Sequence, residues 1–150
     1  MPELIRTDAS HPDFISLVSH LDRYLEIMDG NEHPFYAQYN KITFIRHVVV
    51  AYVDDQPAGC GAIKAFDDDC MELKRMFTEP ALRQQGVATA ILKDLESWAA
   101  ELGYKKCILE TGKRQTEAIN LYLKNQYQPM PNYGQYTGVE NSLCFEKLLK

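Results

Sequence analysis

No stretch of this 150-residue chain stays apolar for the ~20 residues needed to cross a bilayer, and the opening MPELIRTDAS has no apolar core of signal-peptide length. A membrane span and a secretory leader are not indicated, and a cytoplasmic setting is expected. Runs of Lys/Arg are missing too. The 16 basic residues are outnumbered by 21 acidic ones, for a net charge of −5, which argues against a nucleic-acid or anionic-membrane partner. Cys60, Cys70, Cys107 and Cys144 form no C-x-x-C pair, and His11, His20, His33 and His47 flank no carboxylate at ligand spacing. The expectation is therefore buried free thiols and no metal site. Repeats, low-complexity segments and linkers are also absent. With 45% hydrophobic residues, residues 1–150 fit one domain with a real core.

What is present is a succession of short apolar patterns. Residues 3–7 read as a strand, and Ser10 with Asp13 three positions on resembles a helix cap. The helix that follows carries its apolar stripe at Phe14, Leu17, Val18, Leu21, Leu25 and Met28. DGNEHPFYAQYNK reads as a loop or broken helix and a candidate lid. HVVVAYV and AGCGAIKAF flank DDQP as an antiparallel hairpin, and MELKRMFT is a further strand. A long helix follows with Val87, Ile91, Leu95, Trp98 and Leu102 on one stripe and Gly103 at its C-terminal cap. KKCILET is a strand, QTEAINLYLKN a helix and SLCFEKLL a closing strand. The passage from 71 to 111 requires a right-handed crossover between parallel strands, whereas the hairpin is antiparallel, so a mixed α/β sheet is expected.

The segment RQQGVATA, Arg83 to Ala90, sets a bare stretch of backbone directly ahead of the long helix. A helix starting near Gly86 presents unpaired N–H groups and the positive end of its dipole, a setting that suits phosphate. The plainer reading is that Gly86 simply ends a loop. A P-loop is ruled out by the missing second glycine and Lys-Ser/Thr pair. A dinucleotide fingerprint fits poorly: G-V-A-T-A-I has no third glycine, although Glu110 lies at about the right remove for the acidic residue.

Arg83-x-x-Gly86-x-Ala88, preceded by a strand ending Met76-Phe77-Thr78 with Pro80 three residues before the arginine, resembles the acyl-CoA pyrophosphate loop of the GNAT superfamily of N-acetyltransferases. The pattern there is Gln/Arg-x-x-Gly-x-Gly/Ala. AINLYLKNQY is similar to the second conserved segment of the superfamily, with Ala118, Leu121, Tyr122 and Lys124 matching. Gln115 replaces the usual Asn, and Gln126-Tyr127 replaces Gly-Phe, a change expected to alter the turn after the helix. ELKRMF and LETGKRQTEAI look like a bacterial subgroup acting on small molecules. The resemblance runs from about residue 43 onward and implies a mixed, mostly antiparallel β-sheet with helices on both faces.

The same resemblance implies the site. Gln84, Gln85, Gly86, Val87, Ala88 and Thr89 would cradle the pyrophosphate of acetyl-CoA, with Arg83 adding charge. The backbone N–H of Met76 would bond the acetyl oxygen, and Thr78 would contact the pantetheine. Glu72, on the face of Lys74 and Met76 in a regular strand, is a candidate base, against the plainer reading of an acid paired with Lys74 or Arg75. Tyr122 is a candidate acid for the departing thiolate, although its spacing alone suits a core tyrosine. Glu110, Arg75 and Tyr133 are candidates for contact with the acceptor; Glu110 is also the second candidate base, and Tyr136 shares the loop of Tyr133. The implied activity is acetyl-CoA-dependent N-acetylation of a small-molecule amine, with no metal and room for a homodimer. A protein or peptide acetyltransferase of the same fold and a non-catalytic acyl-CoA-binding domain are the alternatives.

Overall fold

A computed structural model describes residues 2–38 and 45–149. Its frame is a seven-stranded sheet in the order β1-β2-β3-β4-β5-β7-β6. The strands are β1 (Glu3–Thr7), β2 (His47–Val53), β3 (Gln56–Ala65), β4 (Cys70–Thr78), β5 (Lys106–Gly112), β6 (Gln128–Met130) and β7 (Ser142–Leu148). Every neighbouring pair is antiparallel except β4 with β5. That parallel pair needs the long crossover, which α3 (Val87–Glu101) supplies. The β2–β3 hairpin closes on Asp54 and Asp55, both at positive φ (50° and 63°), so a two-residue turn matches the strand twist.

Alternation along β2 divides the core. Val49 and Ala51 face a cluster built with Ile91, Leu92 and Leu95 of α3, while Val48 and Val50 face Phe14, Leu17 and Leu21 of α1 (Pro12–Asp29). Helices thus cover both faces, as the family resemblance implies. Gly61 of β3 allows α3 its close approach. A Cβ there would collide with Met76 Sδ and stand 2.8 Å from Leu95 Cδ1. The α3 stripe differs from the sequence expectation at its end: Leu92 and Ala99 are buried, Trp98 is only partly covered, and Leu102 is 44% exposed. The helix ends at Glu101, so Leu102 is its C-cap and lies outside the buried stripe. Gly103, at φ +93°, closes a Schellman turn through Gly103 N–H to Ala100 O and Tyr104 N–H to Ala99 O.

Two local expectations are corrected. Ser10 does not cap α1: its hydroxyl is taken by Asp8, and the His11 ring Nδ1 accepts the Asp13 N–H instead. The turn after α4 (Thr116–Lys124) survives the loss of glycine, because Gln126 itself adopts φ +69° while Tyr127 N–H bonds Tyr122 O at 3.0 Å. The cost is a strained residue, of the order of 1 kcal/mol. DGNEHPFYAQYNK opens as a short turn followed by α2 (His33–Ala37). The rest of that candidate lid lies outside the described residues. All four cysteines are free and buried, and burial pushes the Cys60 and Cys107 thiols up to about 12. Among the described residues, no helix is long and apolar enough to cross a membrane.

Candidate active site

The site begins with a fault in β4. Cys60 pairs with Phe77 and Ala62 with Lys74, so Arg75 and Met76 together stand opposite Gly61. This bulge puts Arg75 at φ +59°. A bulge bends its strand and re-aims its side chains. The regular alternation expected for ELKRMF therefore fails after Lys74. Met76 turns to the α3 cluster, Phe77 to the α1 cluster, and Arg75 reaches Asp22 of α1. Beyond the bulge-proximal pairs Cys70–Lys106, Met71–Cys107 and Glu72–Ile108, β4 and β5 no longer pair. A cleft of about 100 Å³ opens between them.

Four elements wall this cleft. Helix α1 contributes Leu21, Leu25 and Asp29, strand β4 contributes Glu72 to Met76, β5 contributes Glu110 to Gly112, and α4 contributes Gln115, Ala118 and Tyr122. The α4 residues share a face because they lie about one and two turns apart. Tyr36 and Tyr136 complete the lining. Glu72, Arg75, Met76, Glu110 and Tyr122 are thus brought together. Tyr133 is not among the lining residues: its hydroxyl donates to Glu72 Oε2 at 2.7 Å, behind the wall. Burial raises the Tyr133 phenol, keeping it protonated as a donor.

The carboxyl groups differ sharply in their surroundings. Glu72 is held by Tyr133 on one oxygen, with Lys74 Nζ 3.9 Å from the other. Burial lowers the Lys74 ammonium, and Glu72 partly counters it. Glu110 is held by Ser142, on one side only. Its buried Oε2 lacks a hydrogen-bond partner, and burial pushes its carboxyl up to about 7, with Ser142 offsetting part of the rise and Asp29 adding to it. Asp29 is itself raised by burial, with His33 opposing. Tyr122 is buried, and burial together with the charge of Glu110 raises its phenol. Its hydroxyl takes part in none of the hydrogen bonds of the described residues. Sequence reasoning missed Asp29. The available signal was its place one turn beyond Leu25 and two beyond Leu21, where an apolar residue belongs.

At the other end of β4, the loop ahead of α3 is backbone-rich. Gly86 caps α3 in the left-handed conformation (φ +80°), with no side-chain cap, and the first helical bond runs from Ala90 N–H to Gly86 O. The amides of Val87, Ala88 and Thr89 therefore point out of the helix unpaired. Gln84 also sits at φ +65°, and nothing lies within 4 Å of a Cβ built on Gly86. The arrangement fits a phosphate group. Arg83 is not free-standing: Nε donates to Thr78 O, Nη1 pairs with Glu117 at 3.2 Å, and the guanidinium lies over Tyr24. Glu117 is 75% exposed, so that pair is weak, within about 1 kcal/mol.

The fold and the family are shared with known proteins. The model of the acetyltransferase (GNAT) family matches residues 14–127. The IAA acetyltransferase of Azospirillum brasilense is 32% identical over 144 residues, covering 90% of each chain. A structure from Klebsiella pneumoniae subsp. pneumoniae, described as an acyl-CoA N-acyltransferase, superposes with a TM-score of 0.84 at 27% identity, covering 100% of this chain and 99% of that one. A GNAT family acetyltransferase from Elizabethkingia anophelis with acetyl-CoA bound shares the fold at a TM-score of 0.71 and 20% identity, over 99% and 98% of the two chains.

Proposed function

The chain belongs to the GNAT family of acetyltransferases, and from that premise we propose that it moves an acetyl group from acetyl-CoA to the primary amine of a small molecule, with Glu110 as base and Tyr122 as acid. The observation that carries the reading is the pairing in one cleft of a carboxyl raised to about 7, one of its oxygens unpaired, with a protonated tyrosine whose hydroxyl bonds nothing among the described residues. A base works best when its pKa lies near the working pH. Glu72, the first candidate base on sequence, is better suited to fixing Lys74 and Tyr133 in place, since both of its oxygens are engaged.

The thioester supplies an activated acyl carbon. The protein's part is to take a proton from the ammonium at Glu110, to hold the developing oxyanion, and to give the thiolate a proton from Tyr122. The Met76 N–H is the proposed oxyanion donor. It belongs to one of the two residues that the bulge sets opposite Gly61. Thr78 and the amides from Gln84 to Thr89 are the proposed pantetheine and pyrophosphate contacts, supported by the uncapped start of α3. Arg83 would have to exchange Glu117 for a phosphate, which the weakness of that surface pair permits.

The test is thiol release with acetyl-CoA across amino acids, polyamines, aminoglycosides and peptides, together with calorimetry of coenzyme A. Release with a small amine, and coenzyme A binding weakened by Gly86→Val, are expected. Coenzyme A that fails to bind the folded protein would overturn the assignment.

A further inference from the structure

Among the described residues, four buried side-chain polar atoms have no hydrogen-bond partner: His33 Nδ1, Arg75 Nε, Arg75 Nη1 and Glu110 Oε2. Three of the four belong to two residues of opposite charge that line the same cleft. Unpaired buried donors and acceptors are rare in folded proteins because each forfeits its water without compensation. Two such groups in one cavity point to something that enters it.

Arg75 is the more telling of the two. Its side chain is 1% exposed, and the contact it makes is Nη2 to Asp22, a residue whose own side chain is 53% exposed. The strain of φ +59° at a non-glycine residue is spent on turning this guanidinium from the α3 face into the cleft. An ion pair with a surface aspartate does not need that: an unstrained arginine elsewhere on β4 could reach solvent. With Nη2 occupied by Asp22, the remaining donors still offer two directions for an oxygen, and Arg is the side chain best matched to a carboxylate.

We propose that the acetyl acceptor is a free amino acid or similar aminocarboxylate, its carboxylate received by Arg75 and its ammonium by Glu110. The proposal rests on the acetyltransferase reading above and adds the class of acceptor. The charges facing the ligand fall into two poles. Lys74 and Arg75 of β4 form the positive one, with the Glu72 carboxylate beside them already taken up by Tyr133 and lying 3.9 Å from Lys74, and Glu110 of β5 with Asp29 of α1 form the negative one. A polyamine would leave the positive pole facing a cation, and a simple anion would leave Glu110 without a partner. In the reaction the amine nitrogen forms a bond to the acyl carbon as the C–S bond breaks. Of the two protons the ammonium loses, one ends on the coenzyme A thiol and one in solvent.

Matched pairs that differ by one carboxylate decide the matter: histidine with histamine, tyrosine with tyramine, lysine with cadaverine, arginine with agmatine, each with acetyl-CoA in a thiol-release assay. At least one amino acid should exceed its decarboxylated partner by about tenfold or more in kcat/KM, because a site built around a polar group rejects the analogue that lacks it. Arg75→Gln should carry that ratio towards one, chiefly through KM, with coenzyme A affinity unchanged. A ratio near one for every pair in the wild-type protein overturns the proposal whether or not the variant folds. Amines acetylated as well as their amino acids would do so while leaving the acetyltransferase reading intact. No thiol release with any pair also overturns it. Failure to bind coenzyme A would strike instead at the reading on which it rests.

Discussion

The two faces of the sheet contrast in how they treat polarity. Under α3, Ile91, Leu92 and Leu95 meet Val49, Ile63 and Leu73 in a mainly apolar layer that also takes in the rings of Tyr122 and Tyr127. Under α1, Phe14, Leu17 and Leu21 begin in the same manner, but toward the C-terminal end of the helix Asp22 and Asp29 face Arg75, Glu72 and Glu110. One face spends its burial on stability. The other holds charge out of water, strains its backbone at Arg75 and leaves donors unpaired, which a fold retains where a ligand completes the site. The proposed pyrophosphate loop lies at the edge of the first face and offers backbone amides, whereas the proposed acceptor cleft lies within the second and offers side chains.

The sharpest way to break this contrast is Glu110→Gln. If the charged face is there for chemistry, kcat/KM should fall by about 10³-fold and lose its rise with pH near 7, as expected for removal of a positioned base. Stability should move the other way. The Glu110 carboxyl ionises at 4.5 ordinarily and at about 7 in the folded protein, so the folded state binds its proton more tightly. Wild-type stability therefore declines as pH rises through that window, and the variant is spared the decline. At pH 8 the gain is on the order of 2 kcal/mol, read as a higher Tm. A variant that loses stability at pH 8 would place Glu110 with the structural carboxylates, beside Glu72.

Tyr122→Phe is next in size. Its hydroxyl contributes no hydrogen bond to the described structure, so stability should change by less than about 1 kcal/mol. Single-turnover acetylation should slow by about 10²-fold if the thiolate takes its proton there. A rate within twofold of wild type would assign the ring to the apolar layer, where it packs against Tyr127 and Phe145.

On the backbone-built side, Gly86→Val should weaken coenzyme A by about 10- to 100-fold. It adds a β-branched side chain at φ +80°, where L-residues are strained, and projects it into space that is otherwise open. Unchanged calorimetric affinity would dissociate the loop from the cofactor. Arg83→Ala should cost least, about fivefold in coenzyme A affinity, because the guanidinium must first give up Glu117 and its contact over Tyr24. A loss as large as that of Gly86→Val would mean that charge, and not bare backbone, holds the phosphate.

The unevenness of what could be read follows the same division. The bare start of α3 at Gly86 was legible in RQQGVA because glycine, alanine and their amides occupy consecutive positions. The β2–β3 hairpin, α3 and the parallel β4–β5 crossover were legible because period and length fix them locally. The bulge within ELKRMF was not legible, since nothing in six residues says that Gly61 on the neighbouring strand will face two residues in place of one. The base was uncertain for a related reason. Glu72 and Glu110 are equivalent as letters, and only Tyr133, Lys74 and the depth of the cleft separate them.

The sequence by itself determined the order of elements, the apolar faces, the uncapped glycine at the start of α3 and the membership of a family, because each depends on neighbours within a turn or two of chain. The tertiary structure alone decided which charges share a cavity. Asp29, Arg75, Glu110 and Tyr122 come from four elements up to about a hundred residues apart, and their protonation and pairing are set by burial and by one another's fields. Those quantities do not exist until the chain has folded.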